Sequence, residues 1–224
     1  PMASGFVGAF EWLNQWWGSL AWLVMVVFLA GSLLEFYDRK VARYVLVGGW
    51  GVLALFWVAS IYQFVFDQKS ITEGIGVILG VPLSLYVGYL LAKGRDTLPE
   101  VSRAVAVMWA IYLPMSTVAF LRDPLIAIVT DQTAFVLSLV GAKFTVVTGN
   151  NFPAFIELAE APQPHNKSFF FRFPEAGENG YNIVYTIEMA CTGIGSMAIF
   201  GGLIGAVRAP LRRKLKALAA AVGI

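Results

Sequence analysis

Long apolar runs constrain this chain more than any other feature of its sequence. An α-helix rises about 1.5 Å per residue, so about twenty apolar residues cross a hydrocarbon core of roughly 30 Å. The first run lacks the basic n-region and small-residue cleavage site of a signal peptide. The sequence therefore predicts an all-α polytopic membrane protein with about five spans, at residues 18–37, 44–66, 71–92, 101–121 and 188–207.

The composition supports a membrane protein. Of the 224 residues, 58% are hydrophobic and only 13% are charged. A soluble domain of this length could not bury so much apolar surface, whereas a membrane protein can leave it facing lipid. The net charge of +2 gives no reason to expect nucleic acid as a partner. A single cysteine excludes an intrachain disulfide, and a single histidine without a carboxylate cluster predicts neither a metal nor another cofactor.

The pattern changes after the fourth predicted span. Residues 123–149 mix apolar and polar side chains and predict one or two interfacial or partly re-entrant helices. Residues 150–187 contain four prolines and predict an extramembrane segment. Within it, residues 168–173 and 181–187 are rich in aromatic and β-branched side chains, which predicts a small hairpin across the PEAGENG turn. We interpret residues 1–224 as a single membrane domain with an external segment at 122–187.

The positions of Lys and Arg predict the orientation. Three basic residues follow the first span, three surround the loop after the third, and five follow the fifth. Placing these regions in the cytoplasm puts the N-terminus and the long segment outside the cell membrane. The sequon at Asn166 fits an external segment, although a chance tripeptide explains it equally well. The final KALAAAVGI predicts a further helix from about residue 215 that is cut short, so we expect more helices beyond Ile224.

Cys191, the only cysteine, is the strongest candidate for covalent chemistry. It lies in the first turn of the predicted fifth span, near the external surface, where a helix N-terminus favours a thiolate. Alternatively, a lone cysteine in a membrane helix simply fills space. A row of small residues follows it: Gly193, Gly195, Ala198, Gly201, Gly202 and Gly205. They allow close approach by other helices and leave room for a substrate chain, and helix packing is the more common role for the distal glycines of the row.

Two further residues could assist this thiol. Glu188 lies one helical turn before Cys191 and could transfer a proton or orient a partner. A carboxylate also stabilises a helix start without any catalytic role. His165 could pair with the thiol if its loop folds back, but a solvated loop histidine is the more common case.

The arginines divide by position. Arg172, among phenylalanines, and Arg122, beside Asp123, could reach the outer face. Arg212 and Arg213 cannot assist Cys191, because about 21 helical residues would separate them by roughly 30 Å. We interpret them as cytoplasmic topology anchors.

The segment TIEMACTGIGSMAIFGG resembles the exosortase/archaeosortase family, as do KGRDTLPEVSRAVAVMWAIYLP and DRKVARYVLVGGW. The likeness covers essentially the whole chain and points to the archaeal branch. It implies a membrane cysteine transpeptidase that cleaves surface (S-layer) proteins at a C-terminal signal, consisting of a Pro-Gly-Phe motif, a hydrophobic helix and a basic end. The cleaved protein would be transferred to a membrane lipid.

The resemblance also implies that Cys191 is the nucleophile, with Thr192 and Gly193 beside it as supporting residues. The family motif continues with an arginine and then a second arginine or histidine on later membrane helices. Nothing after Cys191 matches those positions, so we expect these partners beyond Ile224.

Two other classes remain open at this point. Pro82 and Pro114 could break helices around the path of a small transporter or channel. The spans contain almost no ionisable residue near mid-membrane and the halves do not repeat, which speaks against transport. The third class is a non-catalytic membrane assembly subunit.

Overall fold

The computed structural model describes residues 2–95, 97–148, 167–172, 181–187, 192–207 and 209–222. The described chain is mostly helical with one small sheet, as the sequence predicts. It packs as two compact units, one formed by Pro1–Leu113 with Ala198–Ile224 and the other by Pro114–Met197. Whether the chain acts as a single membrane domain stays a prediction.

The helices and strands follow one another along the chain. A π-helical turn, Tyr62–Asp67, continues the third helix. The helices are α1 (Met2–Asn14), α2 (Trp17–Leu34), α3 (Arg39–Ile61), α4 (Ile71–Ala92), α5 (Leu98–Thr117), α6 (Ala119–Leu139), α7 (Ile194–Ala206) and α8 (Leu211–Val222). The strands are β1 (Phe144–Thr148), β2 (Lys167–Arg172) and β3 (Tyr181–Ile187).

Local sequence explains two helix ends in the first unit. Asp38 begins α3, because its carboxylate accepts hydrogen bonds from the backbone N–H groups of Lys40 and Val41 at 2.7 and 3.2 Å. Gly94 ends α4 with a φ of 82°, the left-handed conformation that a glycine adopts without steric cost. These two ends lie at the same edge of the bundle, since Arg43 of α3 approaches Gly94.

The core of the first unit is aromatic. Phe28 of α2 meets Trp50 of α3 edge to face, with ring centroids 5.3 Å apart. Phe56 of α3 meets Trp109 of α5 in the same way at 5.2 Å. Such T-shaped pairs add to the stabilisation gained from burial alone. Because α3 contributes one ring to each pair, it is the central helix of this unit.

Two tryptophan N–H groups within this core are satisfied by serines. Trp50 Nε1 donates to Ser102 Oγ at 2.9 Å, and Trp17 Nε1 donates to Ser60 Oγ at 2.9 Å. Each serine donates in turn to the carbonyl four residues earlier in its own helix. These hydrogen bonds join neighbouring helices, and each tryptophan N–H and serine O–H of the two pairs has an acceptor within the protein.

Within the described residues, three helices are long and apolar enough to cross a membrane: α2, α3 with its π turn, and α4. A fourth candidate is the pair α5 and α6, which is broken at Val118 and meets the same test only as a pair. Large apolar side chains on α4, including Ile71, Leu79 and Leu83, are exposed, as expected for a helix that faces lipid. The exact number of spans stays a prediction.

The structure differs from the predicted fifth span at its start. The sequence predicts a helix from Glu188; residues 188–191 lie outside the described residues, but Thr192 and Gly193 are not α-helical, and α7 begins at Ile194 and has 13 residues. Gly193 explains the difference, because its φ of 70° is incompatible with a continuous right-handed helix. With about 20 Å of rise, α7 is shorter than a membrane crossing.

The second unit contains α6 and an antiparallel sheet with strand order β1-β2-β3. The predicted hairpin is present, since β2 pairs with β3 from Lys167 opposite Ile187 to Arg172 opposite Tyr181. Ser168 and Thr186 share a hydrogen bond of 3.0 Å across the two strands. The sequence analysis missed β1, which pairs with β2 and occupies the end of the region predicted as interfacial helix.

Replacing Ser102 by Ala should lower the stability of the helical unit. The change leaves the buried Trp50 N–H without its acceptor, which costs about 1–2 kcal/mol in a membrane protein. Thermal unfolding in detergent measures the loss. Ser138→Ala, which removes an exposed hydroxyl bonded to the Phe135 carbonyl, is the matched control; equal melting temperatures for the two variants would contradict the assigned role of the Trp50–Ser102 pair.

Candidate functional site

The segment that leads into α7 is the candidate site, because it directly follows the predicted nucleophile. Cys191 and Glu188 lie outside the described residues, as do His165 and Asn166. Thr192, the next residue after Cys191, is buried, and its Oγ1 accepts a hydrogen bond from the backbone N–H of Ile194 at 3.4 Å. Thr192 therefore shapes the turn that connects the cysteine to the helix.

Gly193 sets the direction of this turn. Its φ of 70° lies in the left-handed region, where a residue with a side chain is strained. Among the described residues, no atom lies within 4 Å of the position that a Cβ on Gly193 or Gly195 would take. As far as the described residues show, the start of α7 thus has open space beside it, at the end nearest to Cys191 in sequence.

The distal small residues of α7 serve helix packing. A Cβ on Gly202 would lie only 2.5 Å from the carbonyl oxygen of Ala104 in α5, and Cβ atoms on Gly201 and Gly205 would lie 2.8 and 3.1 Å from α5 side chains. The face is therefore filled by α5. Helix packing is the role that the sequence analysis favoured for the distal glycines, and among the described residues only the N-terminal part of the face stays open.

Two cations hold the C-terminal end of α7. Arg103 Nη1 donates to the carbonyl of Ala206 at 3.0 Å, and Lys214 Nζ donates to the carbonyl of Gly205 at 2.7 Å. The last carbonyls of a helix have no partner within the helix and carry partial negative charge, so cations stabilise them. Arg103 also forms an ion pair with Glu35 at 2.7 Å.

The sequence analysis did not find this anchor. It counted Arg103 only as one of the three basic residues around the loop after the third span, which indicate the orientation. The only signal for its role was its position in the first turns of α5, together with a carboxylate at the end of α2.

The sheet register separates Arg172 from the end of β3 that leads towards Cys191. Arg172 pairs with Tyr181 at the opposite end of the hairpin, beside a bulge. Four strand residues lie between Arg172 and Lys167, so five residue-to-residue steps separate the two by roughly 17 Å of backbone. The residue that the register places opposite Ile187 is Lys167, which the sequence analysis did not single out because aromatic patterning does not specify a register.

The other candidate arginines have separate positions. Arg122 donates to the carboxylate of its neighbour Asp123 at 2.9 Å. Arg212 and Arg213 are exposed at the start of α8, after the C-terminal end of α7. In the sequence, all of α7 therefore lies between Cys191 and these two arginines.

Comparison with known proteins gives a consistent picture. Residues 12–224 match the family described as transmembrane exosortase. An Archaeosortase A from Haloferax volcanii is 38% identical over 215 residues, which cover 92% of this chain and 65% of the relative. An Archaeosortase A from Natronomonas pharaonis is 39% identical over 207 residues, covering 92% and 61%. The chain thus spans somewhat less than two thirds of these relatives, and no solved structure matches it significantly.

Replacing Gly202 by Ala should destabilise the packing of α7 on α5. The new methyl group meets a backbone carbonyl that cannot rotate away, and such overpacking costs about 1–3 kcal/mol. Thermal unfolding in detergent provides the measurement. Gly48→Ala in α3 is the control, because its Cβ meets no described atom within 4 Å and alanine favours a helix; a Gly202→Ala protein as stable as this control would contradict the close approach.

Proposed function

We propose that this chain, which belongs to the transmembrane exosortase family, acts in a membrane enzyme that processes surface proteins. The match to the family over residues 12–224 is the observation that carries the proposal. The similarity to two Archaeosortase A proteins supports the same class. The proposed substrate is a surface protein whose C-terminal signal consists of a Pro-Gly-Phe motif, a hydrophobic helix and a basic end.

The proposed reaction is a cysteine transpeptidation in two steps. The thiolate of Cys191 attacks a backbone carbonyl carbon of the signal, a C–S bond forms, and the C–N bond of the peptide breaks as the leaving amine takes up a proton. An amine on a lipid headgroup then attacks the thioester. A new C–N bond forms as the amine gives up a proton, the C–S bond breaks, and the thiolate is regenerated with the protein attached to lipid.

The described residues support defined roles around this reaction. The N-terminus of α7 carries partial positive charge and would stabilise a thiolate or an oxyanion formed just before it. Gly193 provides the turn, and Thr192 holds it through the N–H of Ile194. Glu188 remains the candidate for proton transfer. We assign the arginine and arginine-or-histidine partners of the family to no residue of this chain.

A transporter is the less supported alternative. The fully buried polar side chains in the described part of the chain are all serines and threonines. Transport of ions or charged substrates requires ionisable groups that face the interior at membrane depth. Glu35 and Arg103, the nearest case, are paired with each other at the helix ends.

Cys191→Ala should abolish release of the C-terminal signal from a reporter surface protein. The variant lacks the nucleophile, so neither cleavage nor lipid attachment occurs. Gel mobility and mass spectrometry of the reporter, in cells producing the full-length protein, provide the measurement. Ser196→Ala, which removes an exposed hydroxyl of α7 five residues after Cys191, should retain processing, and normal processing by Cys191→Ala would refute the cysteine mechanism.

Reaction of Cys191 with a thiol reagent separates an enzyme from a non-catalytic subunit. An activated thiol at the outer face should react with a maleimide near neutral pH, and substrate should protect it. Cys191 is the only cysteine among residues 1–224, so the labelling that is lost in the Cys191→Ala protein reports on this site. An inert thiol in folded, active protein is incompatible with the nucleophile assignment.

The proposed orientation can be mapped in a Cys191→Ala background. Asn166→Cys should react with a membrane-impermeant maleimide in intact cells, because residues 122–187 are proposed to lie outside. Lys216→Cys should react only after the membrane is permeabilised. The reverse pattern would invert the topology and place the site in the cytoplasm.

A further inference from the structure

Two adjoining cavities open at one end of the helical unit. They have volumes of about 270 and 540 Å³, and Glu35 and Arg39 line both of them. This is the edge where α2 ends, α3 begins and α7 ends. The larger cavity adjoins the C-terminal end of α7 through Gly205 and Val207, whereas Cys191 precedes the N-terminal end of α7 in the sequence.

The lining of the cavities is basic. Among the described residues, five cations and two carboxylates line them, an excess of three positive charges. The cations are Arg39, Arg43, Arg95, Arg103 and Lys214, and the carboxylates are Glu35 and Glu100. A site with this balance attracts an anion.

Two of these cations have structural partners. Arg103 bonds Glu35 and the Ala206 carbonyl, and Lys214 bonds the Gly205 carbonyl. The remaining three arginines are exposed and, within the described residues, form no ion pair or side-chain hydrogen bond. With respect to the described residues, the three guanidinium groups around the smaller cavity thus keep their donors available to a ligand.

The positions of the three arginines follow from the backbone. Arg39 and Arg43 lie one turn apart at the start of α3, which Asp38 caps. Gly94 ends α4 in the left-handed conformation, next to the Arg43 guanidinium, and places Arg95 directly after the turn. The cluster is therefore held by two helix ends.

The depth of the cavities points to a lipid. They lie at the ends of α2, α3 and α4, the helices able to cross a membrane, and helix ends of this kind lie at the level of the headgroups. Phe36 and Tyr37 line the larger cavity and are 80% and 88% exposed. Exposed aromatic rings at a helix end are typical of the boundary between headgroups and acyl chains.

We propose that Arg39, Arg43 and Arg95 bind the phosphate of an anionic lipid headgroup. The planar guanidinium offers paired N–H donors that match phosphate oxygens, and basic pockets between membrane helices bind anionic headgroups. The same phosphate chemistry also fits a soluble phosphate, but the rim of exposed rings favours the lipid. This site is independent of the proposed cysteine chemistry.

Lipid titration of the purified protein in neutral detergent tests the proposal. Native mass spectrometry counts bound phosphatidylglycerol in the unmodified protein and in the triple variant Arg39→Gln, Arg43→Gln, Arg95→Gln. We expect affinity to fall roughly fivefold per arginine, or on the order of a hundredfold for the triple variant. Phosphatidylcholine should bind weakly to both proteins.

A second triple variant, which removes the same number of positive charges outside the cavities, controls for non-specific electrostatic attraction of the lipid. The triple variant Arg212→Gln, Arg213→Gln, Lys216→Gln deletes three exposed cations that line neither cavity, and it should retain lipid within about twofold. An equal loss in both triple variants overturns the site. Inorganic phosphate at millimolar concentration should not displace the lipid; displacement overturns the lipid assignment in favour of a soluble phosphate. Circular dichroism verifies that all variants are folded.

Discussion

Backbone and side-chain polar groups in an apolar solvent must find partners within the protein, and this requirement organises the helical unit. Trp50 and Trp17 donate to Ser102 and Ser60 rather than to water. Arg103 donates a hydrogen bond to the carbonyl of Ala206, which has no partner within its own helix, and also forms an ion pair with Glu35. Each contact joins different helices, so satisfying the polar groups also fixes which helices are neighbours.

Helix α7 differs between its two ends. At its C-terminal end, glycines let α5 approach to contact distance, and Arg103 and Lys214 bond the final carbonyls. At its N-terminal end, Gly193 and Gly195 have open space around their Cα atoms among the described residues. A helix held at one end and open at the other suits the proposed chemistry, because a substrate chain must reach the residue that precedes it.

The class of the protein follows from local features of the sequence. Apolar runs of membrane length identify α2, α3 and α4, because hydrophobicity and length act on each segment independently of its neighbours. The hairpin of β2 and β3 was equally predictable, since aromatic and β-branched residues flank a turn rich in glycine and glutamate. The sequence context around Cys191 was specific enough to identify the family. The roles of Cys191 and Glu188, which lie outside the described residues, stay predictions.

Other features depend on contacts between distant residues. Strand β1 pairs with β2, and Arg103 bonds the end of α7, so both contacts join segments that are remote in the chain. The pairing of β2 with β3 likewise places Arg172 far from the C-terminal end of β3. The apolar pattern also did not predict the left-handed conformation of Gly193, because hydrophobicity carries no information about φ. The sequence by itself determined a multi-pass helical membrane protein with one thiol, since burial in lipid is a property of each segment. Only the tertiary structure decided which small residues pack, which cations are already bonded and which arginines have no partner among the described residues, because those outcomes depend on the neighbours that folding provides.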